Sequence, residues 1–443
     1  MTPLPERFHR HLASLRLPDG PVVIAVSGGP DSIALLHLLV TAVKQEPFAG
    51  RLGPLTVGHV DHGIHPDSGA LASRVRRTAD ALALACLVVE ARLGPGAGET
   101  AAREARYRAL FEMARDRGAL LFTAHHRDDQ AETVLLRVLG GSGPAGLAAM
   151  SAVSGILVRP LLPFSRAEIA EWLATLGAEA WDDPANRDPR HLRSWLRTEI
   201  LPRLRSVIPE VDRRLERVAR LARTDRAAWD ALLDVLPLDL RLEAGAVSLR
   251  QAPLGDWPRP LGMQLLQAAA RRAGFTLGPL AAARVLALVG QGRSGRRTDL
   301  GRGLVAECAF DRVSLGPPHS AAPLEAAISG AEGTVEAGDW RCVWRPDPAP
   351  ERQARAGWVA WLPPGEYAVR PWNPGDRIVP LGGVGSRLVV RCMQEARIPR
   401  RERPAWPVVT AGGEILWVPG VTRSNRARPA AGSPALRLEF NRR

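Results

Sequence analysis

The first half of the chain alternates short apolar runs with amphipathic stretches. Mainly apolar runs of strand length occupy positions 22–26, 55–60, 86–89 and 120–123. Apolar residues at helical spacing occupy positions 33–43, 68–84 and 100–117. Strands that alternate with helices predict an α/β domain, with a parallel sheet covered by helices on both faces. Ligands of such a sheet bind at the carboxyl ends of its strands, where the loops begin.

The second half of the chain has a different pattern. Positions from about 210 to 330 combine long helical patterns with many arginines, and the Pro- and Ala-rich stretch 346–365 is interpreted as a linker. From position 367, short apolar runs alternate with Pro-Gly turns, which predicts a small α+β or β-rich domain. The last residues, 437–443, are predicted to fray. We therefore predict an α/β domain at 1–215, a helix-rich middle domain at 216–345 and a C-terminal domain at 366–443.

The strongest chemical signal lies between the first strand and the first helix. Six residues make up this segment: Ser27, Gly28, Gly29, Pro30, Asp31 and Ser32. A loop in this context aims backbone N–H groups and a helix N-terminus at one point, which suits a phosphate. The segment lacks the Gly-Lys-Ser/Thr ending of a Walker A motif, so a kinase-like grip on a γ-phosphate is not expected. Every one of the six residues is also turn-prone, and a plain surface turn is the alternative.

Two further strand ends carry polar side chains. The segment His59-Val60-Asp61-His62-Gly63 is interpreted as shaping a nucleotide pocket through His59 and Asp61. Metal binding by His59 and His62 is the weaker alternative, because a three-residue spacing in a turn is poor support for a metal site.

The third strand end runs from His125 into a helix. His125 and Asp129 are four residues apart, and Glu132 follows three residues later, so a helical start places all three on one face. Such a cluster can hold Mg²⁺ through a carboxylate or assist proton transfer. The alternative is that Asp128 and Asp129 are simply a favourable acidic first turn of a helix.

Composition narrows the class of protein. The formal net charge is +13, and Lys44 is the only lysine, so arginine carries the positive charge. A coding bias explains arginine in place of lysine, but the excess itself favours a polyanionic partner. Arginine-rich stretches at 187–226 and 387–443 suit a large folded RNA gripped at several places.

Other classes are made improbable by what the chain lacks. Its four cysteines are scattered with no Cys-x-x-Cys pair, which disfavours zinc, iron–sulfur and disulfide frameworks. No apolar run approaches the roughly 20 residues of a membrane span, and the first residues show no secretory pattern. We therefore expect a cytoplasmic protein without a membrane partner.

Taken together, these motifs resemble those of the tRNA(Ile)-lysidine synthetases, members of the pyrophosphate-loop ATPase superfamily. The likeness covers nearly the whole chain. It rests on the three strand-end segments and on Ala102–Tyr107, Gly141–Leu147, Arg159–Leu162, Asp183–Asp188, Pro374–Arg377, Pro380–Gly382, Ile398–Arg400 and Ile415–Gly420. The motifs after position 374 are the most specific, because the pyrophosphate loop is shared by many families.

The resemblance implies an enzyme that uses ATP, with Mg²⁺, to join free L-lysine to the wobble cytidine of tRNA(Ile) with a CAU anticodon. Implied site residues are of three kinds. Residues 27–32 with His59 and Asp61 hold the nucleotide; Asp31 and Asp129 hold Mg²⁺ or the incoming lysine ammonium; His125, Arg106 and Arg193 join them in catalysis. Arg103 is a further candidate to counter phosphate charge. The oligomeric state stays open, with a homodimer as one alternative.

This chain departs from the family pattern at several positions. Gly140 stands where an arginine is usual, Ala185 where a small hydroxyl residue is usual, and Ser194 where an asparagine is usual. The stretch 387–390 also lacks the lysines of the family. We expect weaker charge toward the tRNA at that stretch.

Two other functions remain open at this point. A tRNA thiolase of the same superfamily would also adenylate a base, but such enzymes typically need paired cysteines. A catalytically inactive tRNA-binding protein is the alternative from another class, and the complete loop with its histidines and carboxylates argues against it.

Overall fold

The computed structural model describes residues 2–61, 68–91, 99–181, 192–243, 245–292, 294–318, 322–426 and 428–442. They form two compact units, Met1–Ala228 and Trp229–Arg443. None of the helices within these ranges is both long and apolar enough to cross a membrane.

The first unit is built on a six-stranded sheet with the order β3-β2-β1-β4-β6-β5. All neighbouring strands are parallel except the short edge strand β5, which runs antiparallel to β6. The strands are β1 (Gly20–Ala25), β2 (Leu52–Asp61), β3 (Ala85–Glu90), β4 (Leu120–Phe122), β5 (Val153–Ser154) and β6 (Leu157–Val158). The predicted parallel sheet is confirmed.

Helices cover both faces of this sheet. The helices that pack on it are α1 (Leu4–Ser14), α2 (Pro30–Ala42), α3 (Ser68–Ala81), α4 (Glu99–Arg115) and α7 (Arg166–Thr175). The further helices are α5 (Arg127–Leu139), α6 (Pro144–Leu147), α8 (Leu192–Trp195), a π-helical turn (Leu196–Ile200), α9 (Leu201–Val207) and α10 (Val211–Val235), which continues past the end of the first unit. Side chains alternate along β1, so Val22 and Ile24 pack with α1, α2 and α7, while Val23 packs with α4. The centre of the sheet is therefore buried on both faces, and the polar side chains predicted for the site lie at the carboxyl ends of its strands.

The first part of the second unit mixes helices with a sheet. Helices α11 (Gln251–Asp256), α12 (Arg259–Arg272) and α13 (Pro279–Gly290) share a core with strands β8 (Ala246–Arg250), β9 (Arg297–Gly301), β10 (Leu304–Ala309) and β11 (Arg312–Gly316), and the exposed strand β7 (Arg241–Glu243) pairs with β8. The five strands form an antiparallel sheet. The predicted helices are present. The antiparallel sheet was not predicted, because the helical periodicity of this region is stronger than its strand pattern.

The C-terminal part of the second unit is β-rich, as predicted. Two of its sheets have the orders β12-β16-β19-β20-β21 and β13-β14-β22-β15, and β17 pairs with β18. Its elements are β12 (Ala326–Ile328), β13 (Gly333–Ala337), β14 (Trp340–Pro346), β15 (Val359–Leu362), β16 (Tyr367–Pro371), β17 (Arg377–Ile378), β18 (Arg387–Leu388), α14 (Val389–Glu395), a 3₁₀ turn (Arg403–Ala405), β19 (Pro407–Ala411), β20 (Glu414–Val418), β21 (Thr422–Arg423) and β22 (Leu436–Arg442).

Two expectations for this region are wrong. The interpreted linker 346–365 contains the strand β15, and the residues expected to fray form β22 as far as Arg442. Strand β22 lies between β14 and β15, so partners far away in sequence hold it in place. The three predicted domain ranges themselves stay predictions.

Candidate active site

The loop after β1 is closed by its two serines. The N–H of Ser27 donates to Ser32 Oγ (3.2 Å), and that hydroxyl donates to the carbonyl of Gly29 (2.8 Å). Helix α2 begins at Pro30, with Gly29 as its N-cap and without a side-chain cap. Because the first N–H groups of a helix have no intrahelical acceptor, this N-terminus can receive an anion.

Gly28 is a position where the loop requires glycine. Its φ is +87°, and a Cβ atom there would lie 2.5 Å from Leu71 Cδ1. The Gly28 carbonyl accepts a hydrogen bond from the N–H of Trp181 (2.9 Å). Any larger residue would therefore disturb the path of the loop.

His59 supports the loop from the neighbouring strand. Its Nδ1 atom lies 2.7 Å from the carbonyl of Val26, and burial lowers the pKa of the imidazole. Asp61 is the last residue of β2 and lies at the same sheet edge. The structure thus holds His59 through a backbone contact; His62 and Gly63 lie outside the described residues.

His126 caps helix α5 and contacts the loop. Its Nδ1 accepts from the N–H of Asp129 (3.4 Å), while Asp129 Oδ2 accepts from the N–H of His126 (3.1 Å). Its Nε2 lies 3.5 Å from Asp31 Oδ2 and 3.4 Å from Asp129 Oδ2. One buried imidazole therefore joins two of the strand-end segments that the sequence predicts to converge.

The charges around His126 are strongly coupled. Burial opposes a charge on His126, but Asp129, Asp31 and Asp128 outweigh burial and raise its pKa. Burial also opposes ionisation of Asp129, yet the surrounding histidines and Arg193 lower its pKa far below the usual range. The cap requires an unprotonated Nδ1, so we infer that the neutral imidazole carries its proton on Nε2, toward the carboxylates.

Two arginines clamp the acidic face of α5. Arg193 Nε lies 2.8 Å and Arg197 Nε 2.6 Å from the two carboxylate oxygens of Glu132, which is 1% exposed. Both arginines also place Nη2 at 3.1 Å from Asp129 Oδ1. Asp129 and Glu132 are therefore fully engaged with protein groups, as a buried carboxylate must be.

Asp31 differs from Asp129 because one of its oxygens is not used. Its Oδ1 atom is buried and accepts no hydrogen bond. No group of three or more His, Cys, Asp or Glu side chains placed to hold a metal occurs within the described ranges. Mg²⁺ often takes one or two protein carboxylates together with substrate phosphates. Asp31 fits such a ligand, whereas Asp129 has little capacity left.

His125 lies beside this cluster in a different environment. Its Nε2 is 3.2 Å from the Tyr107 hydroxyl, and its Nδ1 is 3.0 Å from Thr123 Oγ1. Burial, aided by nearby arginines and opposed by Asp129, lowers the pKa of His125 to about 3. At neutral pH the imidazole is uncharged and too weak a base to accept a proton readily.

Two arginines act on His125 through their charge, Arg103 from α4 and Arg159 from the position after β6. The Arg103 guanidinium stands 5.3 Å from the ring centre of Tyr107, and Arg159 donates to the carbonyl of Ser151 (2.9 Å). Arg106 lies one turn further along α4 and is half-buried. Tyr107 of α4 contacts His125, and the charge of Arg103 acts on it from beside that ring.

The structure brings the core of the predicted site together. Asp31, His126, Asp129 and Arg193 are linked by direct contacts, and His125 is adjacent. Of the positions that depart from the family pattern, Gly140 is the C-cap residue of α5, and Ser194 lies in α8. The 183–188 motif, including Ala185, lies outside the described residues. The catalytic and binding roles of these residues stay predictions.

Three contributors were not singled out as site residues from the sequence. Arg197 follows Arg193 at i+4, a spacing that places both on one helical face. His126 is not among the residues that the sequence predicts for the site, and Arg159 is predicted only as part of the motif Arg159–Leu162. The i+4 spacing could have indicated Arg197 from the sequence. The opposite pKa shifts of His125 and His126 could not be seen there.

Two family models match this chain, one in its N-terminal part and one in its C-terminal part. Residues 4–204 match the family model of the PP-loop domain, and residues 367–440 match that of the TilS substrate C-terminal domain. A solved U34-tRNA thiolase, NcsA from Methanococcus maripaludis with its [4Fe-4S] cluster, is 18% identical with a TM-score of 0.42. That likeness covers 49% of this chain and 79% of the thiolase and does not bear on the chemistry.

Full-length relatives carry one common name. The chain is 33% identical to the tRNA(Ile)-lysidine synthase of Symbiobacterium thermophilum, over 96% of this chain and 95% of that protein. It is also 33% identical to the tRNA(Ile)-lysidine synthase of Xanthomonas axonopodis pv. citri, over 90% and 89%. The chain therefore belongs to the tRNA(Ile)-lysidine synthase family.

Proposed function

We propose that this chain joins free lysine to C2 of cytidine 34 in tRNA(Ile) with a CAU anticodon. In the first step, cytosine O2 attacks the α-phosphate of ATP, and pyrophosphate leaves. In the second step, the ε-amine of lysine attacks C2, and AMP leaves with the former O2 atom. The products are lysidine, AMP and pyrophosphate. The full-length likeness to tRNA(Ile)-lysidine synthases supports this proposal.

One structural observation carries the assignment to this edge of the sheet. The carboxylate of Asp31, in the loop, lies 3.5 Å from His126, which caps the helix that bears Asp129. An anion-binding helix N-terminus and a cluster of ionised carboxylates thus stand side by side. That pairing suits a reaction in which phosphates depart and an ammonium arrives.

The loop and Asp31 serve the first step in this proposal. Backbone N–H groups of residues 27–29 and of the first turn of α2 would hold the departing pyrophosphate. Mg²⁺, when bound through Asp31 and phosphate oxygens, would neutralise charge that develops on the leaving group. Asp129 is already held by Arg193 and Arg197 and would orient His126 rather than bind the metal.

The second step requires a deprotonated amine. The ionised carboxylates of Asp31 and Asp129 favour the approach of the lysine ammonium. Because Nδ1 of His126 is occupied by the cap and its Nε2–H faces Asp31 and Asp129, His126 would orient these two carboxylates, and the carboxylates would receive the ammonium proton. Our proposal therefore gives the proton transfer to these carboxylates instead of His125.

The partners follow from the same proposal. tRNA is the polyanion that the net charge of +13 favours, and ATP and free lysine are the small substrates. A homodimer and a cytoplasmic location stay predictions.

The test substitutes Asp31→Asn. We expect at least about a 100-fold loss of tRNA-dependent AMP formation, because a group that contacts the reacting centre is lost, while tRNA binding stays within about twofold. AMP release and incorporation of labelled lysine into a cytidine-34 tRNA are measured together. Asp19→Asn, which alters an exposed partner of Arg51, is the matched control. Undiminished turnover in Asp31→Asn contradicts the proposal, and wild-type incorporation of sulfur instead of lysine would make the chain a thiolase.

A further inference from the structure

A second charged feature lies on the α4 side of His125. Arg103 and Arg159 both act on this histidine, and Tyr107 stands between them. Arg159 follows the carboxyl end of β6 and Thr123 the carboxyl end of β4, which are adjacent parallel strands. Both arginines therefore reach the edge of the sheet at which the loop also lies.

These two guanidinium groups lack the carboxylates that other arginines of the site have. Within the described ranges, neither Arg103 nor Arg159 has an acidic oxygen within 4.0 Å, whereas Arg193 and Arg197 each contact two carboxylates. Arg159 donates to the Ser151 carbonyl, but its buried Nε has no acceptor. A partly buried cation without a counter-charge is unfavourable unless a ligand supplies the charge.

The chemistry of the site thus has two poles. Asp31 and Asp129 form an acidic pole around His126, and Arg103 with Arg159 forms a basic pole around His125. The two histidines are consecutive, so the poles are neighbours. Free lysine has the same two ends, a terminal ammonium and an α-carboxylate.

We infer that Arg103 and Arg159 bind the α-carboxylate of the incoming lysine while its ε-amine points to Asp31 and Asp129. This inference rests on the proposed function. A guanidinium fork matches a carboxylate with two parallel hydrogen bonds, and the Nε of Arg159 is such an unused donor. The phosphates have their own donors in loop 27–32, so the basic pole is left for the other anion of the reaction.

The test substitutes Arg103→Met and Arg159→Met singly in the full chain. We expect kcat/KM for lysine to fall roughly 10- to 100-fold, as for the loss of hydrogen bonds to a charged group, through a higher KM for lysine. The KM for ATP and the rate of tRNA adenylation, measured by ATP–pyrophosphate exchange without lysine, should stay within about twofold. Arg115→Met is the matched control, because Arg115 also lies over a ring of α4 but is exposed.

A second readout uses the nucleophile itself. The wild type should prefer lysine over 1,5-diaminopentane, which lacks the carboxylate, and both variants should lose most of this preference. A raised KM for ATP with an unchanged KM for lysine would show that the arginines bind phosphate and overturn the inference. An unchanged preference would overturn it as well. If the wild type itself incorporates no lysine, the proposed function fails instead.

If Arg159→Met does not fold, Arg103→Met decides the matter alone, because Arg103 makes a ring contact and no ion pair with a described residue.

Discussion

Two pairs of arginines at one sheet edge behave differently. Arg193 and Arg197 are each bound to Glu132 and Asp129, at distances from 2.6 to 3.1 Å. Arg103 and Arg159 lie around His125 with a tyrosine ring and a backbone carbonyl as partners. The first pair is part of the folded structure of the site, and we propose that the second pair binds the incoming substrate.

The difference between the two pairs lies in whether a protein carboxylate neutralises each guanidinium. A buried ion pair is stable once both partners are present, and removal of one partner leaves a costly charge. A guanidinium without a carboxylate partner contributes little to folding, and we propose that Arg103 and Arg159 instead bind the substrate. The following predictions test this contrast between a clamp that stabilises the fold and a pole that binds substrate.

The largest effect is expected for Glu132→Gln. Glu132 is 1% exposed and bridges Arg193 and Arg197, so the variant leaves two cations with Asp129 as their only counter-charge. We expect a loss of about 3 kcal/mol in the free energy of unfolding. Urea denaturation measures it. The control Glu199→Gln breaks a surface pair with Arg203 and should cost less than about 1 kcal/mol. Equal effects in both variants would contradict the clamp.

An intermediate effect is expected from His125→Asn in acid. The pKa of His125 is lowered to about 3 in the folded state, while the unfolded value is near 6.5, so the unfolded chain binds a proton that the folded chain excludes. Stability from this group is full above pH 6.5 and declines as the pH falls toward 3. Between pH 7 and pH 5 the wild type should lose about 2 kcal/mol more than the variant. Identical acid profiles in urea denaturation would show that His125 is not held neutral.

The smallest effect separates the two arginine pairs directly. Arg197→Met removes a two-point contact with Glu132 and should cost about 1 to 2 kcal/mol, since Arg193 still pairs with that carboxylate. Arg159→Met removes a cation that pairs with no described carboxylate, its hydrogen bond to the Ser151 carbonyl and its interaction with Tyr107, and should change stability by less than about 1 kcal/mol. Thermal and urea unfolding of both variants give the comparison. A larger loss for Arg159→Met would assign Arg159 to the fold.

Much of the site was predictable because its signals are local. The loop 27–32 lies between a strand and a helix in both the prediction and the structure, and Asp129 with Glu132 share a helical face. The parallel sheet then brings strand ends together by topology alone. What could not be predicted depends on contacts between distant residues: the clamp joins positions 64 residues apart, and β22 exists only because β14 and β15 flank it.

The sequence by itself determined the family and its class of chemistry and the parallel sheet, and it predicted candidate residues for the site. It did so because a glycine turn, an apolar run and a helical period are properties of neighbouring residues. Only the tertiary structure decided which of two adjacent histidines has its pKa raised, which has its pKa lowered, and which arginines are neutralised. Burial and the distance to opposite charges set those states, and both are fixed only when remote segments pack together.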